Sequence, residues 1–375
     1  MKENGFPDAP SWFPEVLACP ACHGSIALRG ESWNCERCGV VGGQTLGFPD
    51  FLAGLDHLPM AGGDTMDLGR DAAAAAEVAA ADGEFGDLTA RAAAIEAEAM
   101  GRPEWSASRQ RACDRAFGRT CQMNLDASQT GGDAFLVKLD SKIAECGWPA
   151  LGGDLALEAG GGPGLFLPAF ARRFRRVVFL DASLVNIVLA ARLCESSSIE
   201  NVSFVRADLV APPLVTGRFD MVHENGVIEH VHSPRRMLAE AVRLRSPDGY
   251  LICVSPNRFS IAPEPHFGLP LYGAIPAVAR RALVPRLRGF EDGIGTDLFS
   301  LRRLRRDLAA TLNGDRVTVF FLPRRLPFTA RKTTIRRAVK HALDTPLIGA
   351  TVDRALNEAL LGIAPQHIVI AGSHG

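Results

Sequence analysis

Four cysteines near the N-terminus have the spacing of a metal site. They form two Cys-x2-Cys pairs, Cys19 and Cys22 in "CPAC" and Cys35 and Cys38 in "CERC", with twelve residues between the pairs. Zn²⁺ prefers four thiolates in a tetrahedron, and each pair delivers two of them from one tight turn. The intervening "HGSIALRGESWN" alternates around a central glycine, which predicts a hairpin that brings the two turns together. Four protein ligands leave no open position for water, so we expect a structural zinc.

The remaining composition indicates an ordinary globular chain in a reducing compartment. Hydrophobic residues make up 47% of the 375 residues, charged residues 22%, and the formal net charge is −1. The whole molecule therefore lacks the charge excess of a nucleic-acid-binding protein. Five further cysteines are scattered, which argues against a disulfide framework. The polar, proline-interrupted N-terminus has no signal-peptide pattern and no apolar stretch is long enough to span a bilayer, so we expect a cytoplasmic protein.

A second group of residues that could bind a ligand begins at "LEAGGGPG" (157–164), which follows an apolar run. Glycine has no Cβ, so a ligand can approach the backbone of such a loop closely. Two later apolar runs, "RVVFLD" and "VSFVRAD", end at Asp181 and Asp208. A carboxylate at the end of a strand can accept hydrogen bonds from ribose hydroxyls. The pattern therefore predicts a nucleotide-like ligand.

A dinucleotide fits this loop poorly. Its fingerprint, Gly-x-Gly-x-x-Gly, needs a third glycine for close packing of helix and strand. Counting from Gly160 and Gly162, that position is Leu165. The observed spacing thus indicates a different ligand.

The spacing from Glu158 to Gly164, Glu-x-Gly-x-Gly-x-Gly, is followed in order by Asp181 and Asp208. Over roughly residues 133–257 this series resembles the class I S-adenosylmethionine (SAM) dependent methyltransferases. The resemblance implies a SAM pocket whose contacts run from the methionine part to the adenine and the reacting methyl group. They are Glu158 for the amino group; Gly160, Gly162 and Gly164 in the loop; Asp181 and Ala182 at the ribose; Asp208 and Leu209 at the adenine; and Glu224 and Asn225 beside the methyl group.

The elements that must position these residues alternate between strand and helix patterns from Asp133 onward. Such alternation predicts a parallel, doubly wound α/β sheet, in which ligands bind at the carboxyl ends of the strands. With two late strands in "RVTVFFLP" and "QHIVIAGS", we expect a Rossmann-like, seven-stranded methyltransferase sheet. The predicted organisation is a zinc ribbon over 1–55, an alanine-rich helical linker or cap over 56–132, and a methyltransferase domain over 133–375.

The acceptor of the methyl group should bind in the insert at about residues 257–312, which follows the fifth strand. A hydroxyl acceptor must lose a proton as it is methylated, and a histidine near its ordinary pKa suits that task. We therefore expect His266, oriented by Glu264, as the base. His230, in the "IEH" step after the fourth strand, is a further candidate, and a histidine that only holds this turn is an equally good interpretation.

Charge is unevenly distributed along the chain. Residues 1–130 hold 10 Lys and Arg against 19 Asp and Glu, whereas residues 271–345 hold 16 against 6. "NRFS…PEPHFG" and "DLFSLRRLRRDL" resemble bacterial methyltransferases associated with glycan and cell-envelope assembly. That resemblance implies a sugar hydroxyl as acceptor, and the basic region fits an anionic, lipid-linked glycan or peripheral contact with an anionic membrane surface.

Three other functions remain open from the sequence. A zinc ribbon joined to a methyltransferase also resembles ribosomal RNA guanine methyltransferases, although the half with the ribbon is acidic and phosphate contacts need Lys and Arg. A small-metabolite methyltransferase is the second alternative. A catalytically inactive scaffold is the third, against which the complete glycine loop and Asp181 argue.

Overall fold

The structure is a computed structural model with a mixed β-sheet at its centre and helices on both faces. The apolar run of β8 (Phe174–Asp181) shows how the sequence produces this arrangement. Val177 and Phe179 face one hydrophobic core, and Val178 and Leu180 face the other. A strand buried on both faces is typical of a parallel sheet that is covered by helices. The described residues are 10–63, 65–99, 131–262, 269, 271–276, 278–280, 283, 286, 297–312, 314–321 and 361–373.

Seven strands have the order β9-β8-β7-β10-β11-β13-β12, in which β13 is antiparallel to both neighbours. The predicted Rossmann-like methyltransferase fold is confirmed. The strand order reverses between β7 and β10, which places the loop after β7 at the ligand-binding switch point. These strands are β7 (Gly153–Ala159), β8, β9 (Val202–Arg206), β10 (Phe219–Asn225), β11 (Arg245–Pro256), β12 (Arg316–Phe320) and β13 (Gln366–Gly372).

The N-terminal strands extend this sheet. In the described residues the sheet has eleven strands, because four strands from the ribbon region continue it beyond β9. The connection is the parallel pairing of Asp50 with Arg206. Trp33, on the second of these strands, is buried in the same core as Val205, so the ribbon shares both sheet and core with the methyltransferase region. The four strands are β1 (Ile26–Arg29), β2 (Ser32–Cys35), β3 (Gly39–Thr45) and β4 (Phe48–Asp50).

The segment after the ribbon forms a hairpin and two helices. Strands β5 (His57–Pro59) and β6 (Thr65–Asp67) pair with each other, and the side chain of Asp67 caps the helix that follows. The predicted alanine-rich helices are present as α1 (Leu68–Ala79) and α2 (Phe85–Ala99). Their apolar faces lie in the core that also holds α5 (Leu184–Ser196).

The remaining helices complete the two layers. Helices α3 (Gly131–Glu145) and α4 (Leu167–Arg173) lie with α1, α2 and α5 on one face of the sheet. Helices α6 (Pro234–Leu244) and α7 (Leu301–Thr311) cover the other face. Among the residues described, no helix is long and apolar enough to cross a membrane.

Candidate functional site

The glycine loop follows β7 at the switch point, and the physical reason for glycine differs from one position to the next. Gly160, Gly162 and Gly164 all have positive φ, between 56° and 83°. A Cβ at Gly160 would lie 2.6 Å from a methyl carbon of Val227, and one at Gly164 would lie 2.9 Å from Cβ of Ala190. A Cβ at Gly162 would meet nothing within 4 Å. We expect a close approach of the ligand to the backbone at both Gly160 and Gly162; of the two Cβ positions, the one at Gly162 is open and the one at Gly160 lies against Val227.

Asp181 joins the loop to the end of β8. Its Oδ2 accepts from the amide of Gly162 at 3.1 Å and from Asn186 Nδ2 at 3.3 Å, and its Oδ1 accepts from the amide of Ser183 at 2.8 Å. The side chain is buried, and this burial raises the pKa of Asp181 to about 7. Ala182, the next residue, is partly exposed. The structure thus brings together the loop and the carboxylate that the sequence assigned to the ribose.

Asp208 and Leu209 follow β9 at the same edge of the sheet. Asp208 is partly exposed, and its Oδ1 accepts from the Val210 amide at 3.0 Å. Burial raises its pKa, and the nearby charges of His232 and Arg236 act in the opposite direction. The Leu209 side chain is buried against the Gly160 position. The pair therefore lies where a third strand of the sheet could contribute to a nucleotide pocket.

Glu224 and Asn225 end β10. Glu224 is 2% exposed, and burial raises its pKa to about 8. One carboxyl oxygen accepts a hydrogen bond from the thiol of Cys253, and Oε2 has no hydrogen-bond partner among the described residues. Asn225 is partly exposed at the strand end. At neutral pH Glu224 is therefore mostly a protonated acid that can exchange a proton near pH 8.

Glu158, which the resemblance assigns to the SAM amino group, lies beneath the glycine loop. Its side chain points into the interior, where Oε2 lies 2.6 Å from Nδ1 of His223, and both residues are fully buried. The rings of Phe166 and Phe170 contact His223 edge-on. Glu158 supports the loop from below, because a Cβ at Gly161 would lie 2.6 Å from Glu158 Cγ. The structure therefore places Glu158 under the loop, with its carboxylate held by a histidine that sequence reasoning assigned no role.

Of the candidate bases, His230 lies among the described residues. The backbone of His230 is held by the hairpin segment, since the amide of Ala61 donates to its carbonyl oxygen at 2.8 Å. Its Nε2 lies 4.0 Å from Oε1 of buried Glu229. This geometry accords with a histidine that holds the turn after β10. His266 and Glu264 lie outside the described residues.

Sequence reasoning missed a buried charge cluster beside Asp181. Arg206, at the end of β9, is 3% exposed and contacts two buried carboxylates from the N-terminal region. Nη1 lies 3.1 Å from Asp50 Oδ2, Nη2 lies 2.8 Å from Asp71 Oδ2, and Nε donates to the Ala182 carbonyl at 3.0 Å. A signal was present, because an arginine inside the apolar run "VSFVRA" must find partners when it is buried.

The four cysteines fit a zinc ion. Their Sγ atoms all lie within 4.8 Å of one another, and those of Cys22 and Cys35 are 3.6 Å apart. Tetrahedral zinc with bonds of about 2.3 Å separates sulfurs by about 3.8 Å. Cys19 and Cys35 are buried, and Cys38 is exposed. Thiolates at this spacing repel one another without a cation, so the donor set suits Zn²⁺ and would hold it between the turns before β1 and after β2.

Comparison with known proteins identifies the central region. A family profile described as "Methyltransferase domain" matches residues 157–253. An uncharacterised methyltransferase of Mycobacterium sp. (strain JLS) is 33% identical over 101 residues, which are 27% of this chain and 38% of that protein. A ubiquinone biosynthesis O-methyltransferase of Maricaulis maris is 33% identical over 121 residues, which are 32% of this chain and 45% of that protein. The chain thus spans less than half the length of these two relatives.

A solved structure is also similar to this chain. It is an S-adenosylmethionine dependent methyltransferase from Mesorhizobium loti, with 18% identity and a TM-score of 0.38 over 60% of this chain and 94% of that chain. Residues 157–253, which the family profile matches, are a methyltransferase domain of the SAM-dependent class, built on a Rossmann-like α/β fold. The matched stretch contains the glycine loop, Asp181, Asp208 and Glu224.

Proposed function

We propose that this chain transfers the methyl group of SAM to a hydroxyl oxygen of a sugar or glycan. The observation that carries the methyl-transfer part is the contact between the Gly162 amide and Asp181, beside the open position at Gly162. The loop offers backbone to the methionine part, and Asp181 offers a carboxylate to the ribose. Asp208 lies one strand further along the same edge.

The chemistry needs alignment and one proton acceptor. SAM supplies an electrophilic methyl group on a sulfonium, so a new bond from acceptor oxygen to carbon forms as the sulfur–carbon bond breaks. The chain must hold the oxygen in line with that bond and accept the hydroxyl proton, which general-base help accelerates typically by about 10²–10⁴-fold. We propose His266, oriented by Glu264, for this role because of its position after the fifth strand.

Glu224 is the second candidate for the base. It is buried at the end of β10 with one oxygen free of hydrogen bonds among the residues described, and its pKa of about 8 permits proton uptake in its ionised form. The two candidates differ in pH dependence. At saturating SAM, where the pH dependence of SAM binding through Asp181 does not enter, a rate that rises through the ordinary histidine range supports His266, and one that rises through pH 8 supports Glu224.

The acceptor class rests on the C-terminal sequence. The basic composition of 271–345 supports an anionic acceptor, such as a diphosphate-linked glycan at an anionic membrane surface. Part of that charge is already paired, since Arg303 lies 2.6 Å from Asp297 and Arg306 lies 3.1 Å from Asp307. The zinc site, with four protein ligands, is proposed to be structural.

The test compares acceptors under one methyl donor. Purified protein is incubated with SAM carrying a trideuterated methyl group and, separately, with lipid-linked glycans, quinols and ribosomal RNA, and the products are analysed by mass spectrometry. We expect the label on a glycan hydroxyl, and no label with Asp181→Ala. His266→Ala should lower turnover by about 10²-fold or more and leave SAM affinity unchanged. Label on RNA or on a quinol would overturn the acceptor, and failure to bind SAM would overturn the activity.

A further inference from the structure

The turn that carries Asp181 is held by residues from the N-terminal region. Asp71, in the first turn of α1, accepts from Ser183 Oγ at 2.8 Å and from the Leu184 amide at 2.6 Å. These two donors belong to the N-terminus of α5, whose cap is Ser183 itself. Ser183 also donates its amide to Asp181 Oδ1. Asp71 is thus one hydrogen-bonded residue away from the carboxylate assigned to the ribose.

Arg206 fixes the same turn from the other side. Its Nε donates to the Ala182 carbonyl, and its Nη2 pairs with Asp71. The residues that follow Asp181 are therefore clamped between an arginine of β9 and an aspartate of α1. Both charges are buried, so the carboxylate of Asp71 depends on Arg206 for compensation.

The link continues to the zinc ribbon. The second amino group of Arg206 pairs with Asp50, and Asp50 Oδ2 also accepts from Thr45 Oγ1 at 2.6 Å. Thr45 ends β3, and the first residue of this strand, Gly39, pairs with the zinc-ligand position Cys35. A continuous set of strand pairs and buried charges thus joins the metal site to the cofactor turn.

The hairpin β5–β6 also contacts the segment that follows β10. Met60 forms a bridge with Val231, and the Ala61 amide donates to His230. Met66 of the hairpin and Ala182 pack against the same apolar cluster, which contains Leu58. The N-terminal region therefore contacts the loops after both β8 and β10.

We propose that Asp71 is a positioning residue for the cofactor site, and that through Arg206 and Asp50 the metal-loaded ribbon sets the affinity for SAM. This inference rests on the proposed function, since it concerns the same cofactor pocket. The N-terminal region acts as part of the pocket wall: a ribbon without its metal loses the geometry of β3 and β4, Asp50 releases Arg206, and the turn with Asp181 loses its clamp.

The first arm of the test measures SAM affinity calorimetrically with full-length, zinc-loaded protein. Asp71→Asn keeps an oxygen for the Leu184 amide and removes the charge that faces Arg206. We expect SAM binding about tenfold weaker, the equivalent of one charge-assisted hydrogen bond. The matched control is Asp315→Asn, which removes the charge from another, partly buried pair, Arg245–Asp315 at 2.8 Å, at the start of β11. It should lower the melting temperature and leave SAM affinity unchanged.

The second arm compares the effect of metal removal on SAM affinity in the wild type and in a variant that lacks the Asp50–Arg206 ion pair. A chelator should weaken SAM binding at least tenfold in the wild type and produce little further loss in Asp50→Asn, where the link is already cut. A structural role alone would give equal losses in both. If chelation unfolds the protein, the Cys38→Ser variant, which lacks only the exposed cysteine of the cluster, is used in place of the chelator.

The outcomes separate the two proposals. Wild-type protein that does not bind SAM with zinc present contradicts the proposed function. Wild-type protein that binds SAM, with Asp71→Asn at wild-type affinity or with equal effects of metal removal in wild type and Asp50→Asn, overturns the coupling and leaves the activity standing.

Discussion

The Nδ1 atom of His223 lies 2.6 Å from Oε2 of Glu158, and the two residues face each other across the neighbouring strands β7 and β10. Both side chains are excluded from solvent. The acidic residue that begins the glycine motif therefore contacts both the loop and the adjacent strand. It holds the loop from beneath and is itself held by the adjacent strand.

The contribution of the Glu158–His223 contact can be tested by measuring the stability of the protein. Glu158→Ala should lower the free energy of unfolding by about 3–5 kcal/mol, because it leaves His223 buried without its partner. Glu158→Gln keeps the shape and a hydrogen bond, so we expect a smaller loss and SAM affinity close to wild type. Denaturant unfolding and calorimetry measure the two quantities. A Gln variant of wild-type stability that has lost SAM binding would show that Glu158 contacts the cofactor after all.

The glycine loop predicts losses of stability of different size for two alanine variants. Both positions have positive φ, which costs a side chain about 1–2 kcal/mol. Gly160→Ala adds a clash with Val227, so it should be the more destabilising variant, and Val227→Ala should restore part of the loss. Gly162→Ala should keep the fold, and Gly162→Val should also weaken SAM binding. Thermal unfolding and SAM titration of the four proteins check this order; equal stability of the two alanine variants would contradict it.

The raised pKa of Asp181 predicts that SAM binding depends on pH. Burial raises that pKa to about 7, and the ionised carboxylate is the form that accepts two ribose hydroxyls. Affinity should therefore rise between pH 6 and pH 8 and then level off. The contribution of Asp181 to folding stability depends on pH in the opposite direction to SAM affinity, because burial in the folded state disfavours the charged form. This contribution is fully present below the pKa of Asp181 in the unfolded state and is lost as pH rises through about 7. Asp181→Asn should bind SAM weakly at every pH, and a wild-type affinity that is flat over this range would argue against ribose recognition by Asp181.

The cysteine cluster predicts one zinc ion per chain. Cys35→Ser should lower the zinc content and the melting temperature, because a structural metal contributes folding free energy. Cys194→Ala is the control, since this buried cysteine lies in α5 and outside the cluster. Metal analysis of protein purified without chelators measures the content. A wild type without zinc would remove the ribbon assignment.

The parts of the fold that depend on local pattern were predictable from the sequence. The strand runs that end at Asp181 and Asp208, the Cys-x2-Cys turns and the alanine-rich helices each carry their signal within a few residues. Seven strands in a doubly wound order follow from the alternation of strand and helix.

Contacts between distant segments were not predictable in the same way. Whether the Glu158 carboxylate faces a ligand or the interior depends on its register opposite His223, 65 residues away. The partners of Arg206 lie 135 and 156 residues earlier in the chain. A single arginine among apolar residues indicates that a buried charge needs partners, but no periodicity in the sequence indicates which carboxylates those partners are.

The separation of 156 residues between Asp50 and Arg206 also has a consequence for biosynthesis. The ribbon and its four cysteines are synthesised before β9, the strand that neighbours its last strand. Until then Asp50 has no arginine and the edge of β4 has no partner strand. A zinc ion at the four cysteines would hold this segment together until the partner strand of its sheet is made, because the contact of Asp50 with Arg206 joins residues far apart in the sequence.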